Sequence, residues 1–122
     1  MHLFMILTMR NPGVMFRVMI AGAQWISWIG YFTMYGLAPN LCHRAVGFLE
    51  EEAVHTYTVL IEQMEIEGSE IAEWGCQPAP KEAIEYYDMT EDATVYDMIM
   101  NIRADEACHR DLNHHFADIP AH

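Results

Sequence analysis

No aspartate or glutamate occurs before Glu50 in this 122-residue chain, and all 18 acidic residues lie in positions 50–122. The first 49 residues carry Arg10, Arg17 and Arg44 as their formal charges, so the two parts are expected to face different surroundings. Basic residues are scarce throughout. Six of them against 18 acids give a formal net charge of -12, which argues against a nucleic-acid partner, because a binding face of that kind must neutralise phosphates. Cysteine is scarce as well: Cys42, Cys76 and Cys108 are odd in number and show no CxxC spacing, so neither a disulfide framework nor a structural zinc site is supported. What is plentiful is apolar. A hydrophobic share of 52% with ten methionines argues against disorder and is enough for one small domain.

The chain opens inside an apolar helical pattern, Met1-His2-Leu3-Phe4-Met5-Ile6-Leu7, without a cap, basic leader or cleavage signal. It is therefore expected to be part of a longer protein. Asn11-Pro12-Gly13 breaks the pattern. From Val18 to Ala38 follow 21 residues without formal charge, a length that spans roughly 30 Å as a helix, about the hydrocarbon thickness of a bilayer. A membrane-spanning helix is the plain reading. However, Gln24, Ser27 and Thr33 with Gly22, Gly30 and Gly36 suit close helix packing equally well, and Trp25, Trp28, Tyr31 and Tyr35 suit the headgroup level. Both readings stay open.

Pro39-Asn40 starts the next helix, with a pattern that runs to about Glu67 and a stop at Gly68. Within it His43, Glu50 and Tyr57 recur every seven residues, which returns almost to one azimuth, while Val46, Ala53 and Val54 lie alongside. A polar strip set in an apolar interior calls for a cation or a donor, because an unpaired buried glutamate is costly. The same helix holds Glu52 and His55, a Glu-x-x-His pair pointing roughly opposite to Glu50. Pattern alone does not choose between them. The run Glu62, Glu65, Glu67, Glu70 and Glu73 reads as a wet face and loop.

Gly75 and the segment Gln77 to Pro80 form a linker, and Lys81 to Tyr87 a short helical piece. Thr90 is then expected to cap the last helix, with Glu91 and Asp92 in its first turn and Val95, Met98, Ile99 and Ile102 on its apolar face. Glu106, His109 and Asn113 extend that side. Glu106 and His109, three apart, project from one helix face as the Glu-x-x-His element of di-iron carboxylate proteins does in a four-helix bundle core. The fold class expected is all-α, a ferritin-like di-iron bundle whose N-terminal helices are missing.

The segments Leu49 to Tyr57, Arg103 to Arg110 and Asp111-Leu112-Asn113-His114 closely resemble signature segments of the alternative oxidases, the non-proton-pumping ubiquinol oxidases. Met1-His2-Leu3 resembles the second half of that family's Asn-Glu-Arg-Met-His-Leu segment. The matches come in family order and cover the chain end to end, which implies that residues 1–122 are the C-terminal part of a single di-iron oxidase domain. Of the family's six metal-binding side chains, His2, Glu50, Glu106 and His109 match here, and two glutamates lie before the start. The chain alone is therefore expected to hold an incomplete, inactive site. The resemblance assigns Glu52, with Leu49, Ala53 and Thr56, to the quinol pocket, and Tyr57 to electron transfer beside the metals. Gln24, His43, Tyr86 and Asp105 match supporting positions. Two departures stand out: Tyr86-Tyr87 where relatives commonly have Tyr-Trp, and Cys108 where a histidine often precedes the last ligand.

What the resemblance implies is reduction of dioxygen to water by ubiquinol at two iron ions, in a homodimer bound to one leaflet as a monotopic protein. The expected location is the matrix side of the mitochondrial inner membrane, or a bacterial inner membrane if the source is prokaryotic. The alternatives are another di-iron carboxylate oxidase, a plastoquinol terminal oxidase, or a membrane-associated helical module without chemistry.

Overall fold

The computed structural model describes residues 12–120, so the expectations placed on Met1, His2 and Leu3 lie outside the described residues. Helix α1 spans Val14–Leu37 and α2 spans Pro39–Met64. The short helices α3 (Glu70–Gly75) and α4 (Lys81–Tyr87) lead to the last long helix, α5 (Val95–Asp118). Among the described residues there is no strand, and the fold is all-α. An isolated bridge between Pro78 and Thr94 is the nearest approach to sheet.

Punctuation in the sequence sets the helix ends. At the α1/α2 junction the Ala38 N–H donates to the Met34 carbonyl at 2.8 Å, and Pro39 then starts α2 at a position where its missing N–H costs nothing. Helix α2 ends at Met64, three residues short of the expected Glu67, and the chain reverses through Gly68, whose φ of 77° is the left-handed region glycine tolerates. The glutamates of the acidic run are exposed as expected, but the segment is not all loop. Ser69 accepts from the Ala72 N–H and caps α3.

The start of α5 corrects a second expectation. The cap is Thr94, not Thr90: the Thr94 hydroxyl accepts from the Asp97 N–H, and the Asp97 carboxylate accepts from the Thr94 N–H, a reciprocal capping box. Residues 90–93 are held out of the helix because the Ala93 carbonyl accepts from the Ala79 N–H at 2.9 Å, while the Val95 N–H donates to Gln77 at 2.8 Å. Both threonines are cap formers; these contacts with the linker decide between them.

Helices α2 and α5 run antiparallel and form the spine of the described chain, as their cross-contacts show: Asn40 reaches Ala117, His43 reaches Asn113, and Tyr57 packs against the buried cluster at the far end. The apolar core fills that far end. Ile61 and Met64 from α2 meet Val95, Met98, Ile99 and Ile102 from α5, closed over by Ala79, Ala83 and Ala93. The four apolar positions expected on α5 are therefore the buried ones. By contrast α1 buries no residue. Its rings pack on one another in the open, Trp25 edge-on to Trp28 at 6.0 Å and Trp28 stacked on Phe32 at 5.6 Å. Among the described residues no helix is long and apolar enough to cross a membrane, so of the two readings of residues 18–38 the spanning one finds no support.

Two substitutions check this arrangement by their denaturation midpoints. Ile102, 1% exposed, should cost about 3 kcal/mol as Ile102→Ala, whereas Leu49→Ala, at a side chain 69% exposed, should change stability by less than about 0.5 kcal/mol. Thr94→Ala should fall between them at about 1 kcal/mol.

Candidate metal centre

Midway along the α2/α5 spine, three ligand-type groups converge. One oxygen each of Glu50 and Glu106 and one ring nitrogen of His109 lie within 4.8 Å of one another. The heptad spacing of His43, Glu50 and Tyr57 turns all three inward on α2, and the three-residue step from Glu106 to His109 places both on the facing side of α5. The Glu106 side chain is 13% exposed and the His109 ring 53% exposed, with Nδ1 3.5 Å from Glu106 Oε2. The centre is thus covered on the carboxylate side and open on the imidazole side.

Electrostatics follow from that geometry. Burial pushes the Glu50 carboxyl up to about 7, and the hydrogen bond and negative charge of Glu106 add to the shift, with His109 opposing it. Two carboxylates this close repel when both are ionised, a cost that a proton or a cation between them relieves. Two carboxylates and an imidazole are donors suited to iron. The residues present therefore fit part of an iron site. Tyr57 lies beside it, half-buried, and its hydroxyl is held above the usual phenol range by burial first and then by the charges of Glu106 and Glu50.

Beyond the centre a hydrogen-bonded ladder fixes the helix pair. The Asn113 amide N–H donates to the His109 carbonyl at 3.0 Å, and its oxygen lies 2.9 Å from His43 Nδ1. His43 Nδ1 therefore donates, which leaves Nε2 to accept from the Tyr35 hydroxyl at 3.3 Å. One imidazole thus ties α1, α2 and α5 together one turn from the ligand His109. Farther along, Arg44 bonds Asp118 and His114, and the Asn40 amide donates to the Ala117 and Ile119 carbonyls at the end of α5. Gly47 has a specific reason to lack a side chain: a Cβ there would come within 2.8 Å of the His114 ring.

The other expected residues divide clearly. Glu52 and His55, the competing Glu-x-x-His, are both exposed on the outer face of α2. Leu49 is exposed on the same outer side, Thr56 donates its hydroxyl to the Glu52 carbonyl at 2.8 Å, and Ala53 is half-buried. Asp105 is half-buried and accepts a hydrogen bond at 2.8 Å, but from Tyr87. Tyr86 is 50% exposed, with its ring 4.8 Å from that of Tyr87. Gln24 lines an open hollow on α1 with Ala21, Trp25 and Trp28 rather than joining the carboxylates. The sequence did not reveal Tyr87 as a hydrogen-bonding group, nor the close approach of Gly47 to His114. A glycine inside a strong helical pattern one turn before Glu50 was the available signal for that approach.

The raised Glu50 carboxyl has a measurable consequence in the metal-free chain. Its folded value of about 7 lies above the ordinary 4.5, so the folded state holds a proton that the unfolded chain gives up first. The stabilisation is present below the ordinary value and is lost as pH rises through about 7. Denaturation midpoints should fall between about pH 5 and about pH 8, and Glu50→Gln should flatten that slope; an unchanged slope would count against the raised Glu50 carboxyl.

The family model described as Alternative oxidase matches residues 1–118. The chain is 44% identical over 120 residues to "Alternative oxidase, mitochondrial" of Ajellomyces capsulatus, covering 98% of this chain and 33% of that protein. It is 44% identical over 118 residues to "Ubiquinol oxidase, mitochondrial" of Batrachochytrium dendrobatidis, covering 97% of this chain and 36% of that protein. An alternative oxidase of Cryptococcus neoformans is 41% identical over 119 residues. The chain spans about a third of the length of the curated relatives it matches. With the match running over nearly all of the chain and through the convergent carboxylates of α2 and α5, the chain belongs to the alternative oxidase family.

Proposed function

We propose that this chain supplies the C-terminal part of the di-iron domain of a mitochondrial ubiquinol oxidase, which reduces dioxygen to water without pumping protons. The observation that carries this reading is the convergence of Glu50, Glu106 and His109 within 4.8 Å. Glu50 and Glu106, from opposite helices, and His109 would hold the irons; His2 and two glutamates from the preceding part of the protein would complete the set. Bound there, the irons supply the electron-transfer chemistry by which dioxygen is reduced.

The chain's own residues do the rest. Glu50 gives up its proton when a cation arrives, because a ligating carboxylate must be ionised. Glu106 is held under cover, which limits water at the carboxylate side. Tyr57 lies near enough to feel the charge of both glutamates, and it would be the phenol that gives an electron and a proton during oxygen reduction. Asn113 and His43 hold the turn of α5 that carries His109.

Leu49, Glu52, Ala53 and Thr56 would receive the quinol. Leu49, Glu52 and Thr56 follow one another along the exposed side of α2, and the half-buried Ala53 lies between that side and Glu50. Leu49 and the adjacent Phe48 are exposed apolar side chains, suited to a substrate with a lipid tail. The uncovered aromatic face of α1, with an acid-free first part and Arg17 near its start, suits attachment to one leaflet as a monotopic dimer on the matrix side of the inner membrane.

In the full-length protein, Glu106→Ala should lower quinol-dependent oxygen uptake by at least about a hundredfold, since removing a ligand removes the site and not one contact. Glu52→Gln should instead raise the quinol KM with iron content unchanged. If Glu106→Ala left oxygen uptake intact, the reading of the chain as an oxidase part would fail.

A further inference from the structure

The three donors of the centre come from α2 and α5, the two helices that hold each other in place. The three-residue step on α5 sets Glu106 against His109, with His109 Nδ1 3.5 Å from Glu106 Oε2. Two donors bound to one first-row cation at about 2.1 Å each lie about 3.0 Å apart at a right angle and about 3.4 Å apart at the tetrahedral angle. The pair is therefore spaced as two neighbouring ligands of a single ion. Glu50 presents an oxygen within 4.8 Å of both, a gap that the broad terminal torsion of a glutamate closes with a movement of about 1 Å.

The trio is held from outside. The apolar core anchors the helix pair at one end, and Asn40, His43 and Arg44 tie α2 to the last turns of α5 at the other. The Asn113 amide donates to the His109 carbonyl at 3.0 Å and so holds the turn that carries the ring. The imidazole side is open, which gives an ion and its water a way in. Three protein donors with the remaining positions left to water make an open mononuclear site, and carboxylate and imidazole donors suit divalent first-row metals.

Resting on the oxidase reading above, we infer that the two metal ions of the centre enter in order. The first divalent cation binds at Glu50, Glu106 and His109, the half of the centre that α2 and α5 build by themselves. The second binds after it, with His2 and the ligands of the preceding part of the protein. The physical reason is preorganisation. A cation on one oxygen of each carboxylate cancels their mutual repulsion and stops the two side chains from turning apart. Each carboxylate keeps a second oxygen for a further ion. The two histidines of the centre are thus unequal in its assembly: His109 serves the first ion, and His2 is needed only for the second.

The test is a cobalt(II) titration of the full-length apoprotein without oxygen, read by visible absorption and electron paramagnetic resonance. Wild type should bind the first equivalent more tightly than the second, with the signal of isolated high-spin cobalt rising to one equivalent and falling as a second ion couples to it. His109→Ala should weaken binding of the first equivalent at least about tenfold, whereas His2→Ala should leave it within about threefold and weaken the second. His109→Cys keeps a donor in place and separates ligation from a structural role. It should add a thiolate-to-cobalt charge-transfer band, absent from wild type, over the first equivalent, and His2→Cys should add such a band over the second alone. Entry of both ions in one step, a band from His2→Cys over the first equivalent, or no band from His109→Cys would overturn the order of loading, while the iron-loaded protein still consumed oxygen with quinol. Absence of quinol-dependent oxygen uptake by the iron-loaded wild type would instead overturn the oxidase reading, and the order of loading with it.

Discussion

The apposition of Glu50 and Glu106 is the interaction on which the rest of this chain depends. Two carboxylates brought together across a helix pair repel unless a proton or a cation lies between them, and the Glu50 carboxyl is raised by burial first and then by Glu106. A structure that keeps such a pair must hold it in place from elsewhere. Here the restraint comes from both sides: an apolar core of Ile61, Met64, Met98, Ile99 and Ile102 at one end, and polar cross-links from Asn40, His43 and Arg44 to the last turns of α5 at the other. The strained pair lies between these two anchors. This is the arrangement a metal centre needs, because a site free to relax would separate its carboxylates and lose its affinity.

The outer and inner faces of α2 carry different chemistry on one helix. Residues spaced by seven, His43, Glu50 and Tyr57, turn toward α5, and the residues proposed to meet quinol follow the outer side. One helix thus carries both the carboxylate that faces α5 and the residues proposed to receive quinol.

Much of this was legible from the residues. The heptad strip on α2 and the Glu106, His109 and Asn113 series on α5 each gave the inward face correctly, because a period of seven in a helix has one reading. The apolar quartet Val95, Met98, Ile99 and Ile102 likewise identified the buried side. Glu50 against Glu52 could not be decided from pattern, since three consecutive glutamates point in three directions; the packing of α5 decides it. The start of α5 was misplaced for a similar reason. Thr90 and Thr94 have equal local preference as caps, and the choice depends on hydrogen bonds from Gln77 and Ala79, far away in sequence. Tyr87 was overlooked because its hydroxyl finds Asp105 only once α4 has folded back on α5. Family resemblance supplied what neither pattern nor packing holds, namely the identity of the metal and of the electron donor.

The central claim is that Glu50 and Glu106 share a bound cation within a site completed by the rest of the protein. Iron content of the purified full-length protein, measured for wild type and for Glu50→Ala, tests it most directly. The account predicts two irons per chain in wild type and fewer than one in the variant, with helicity retained. Two irons retained by Glu50→Ala would contradict it.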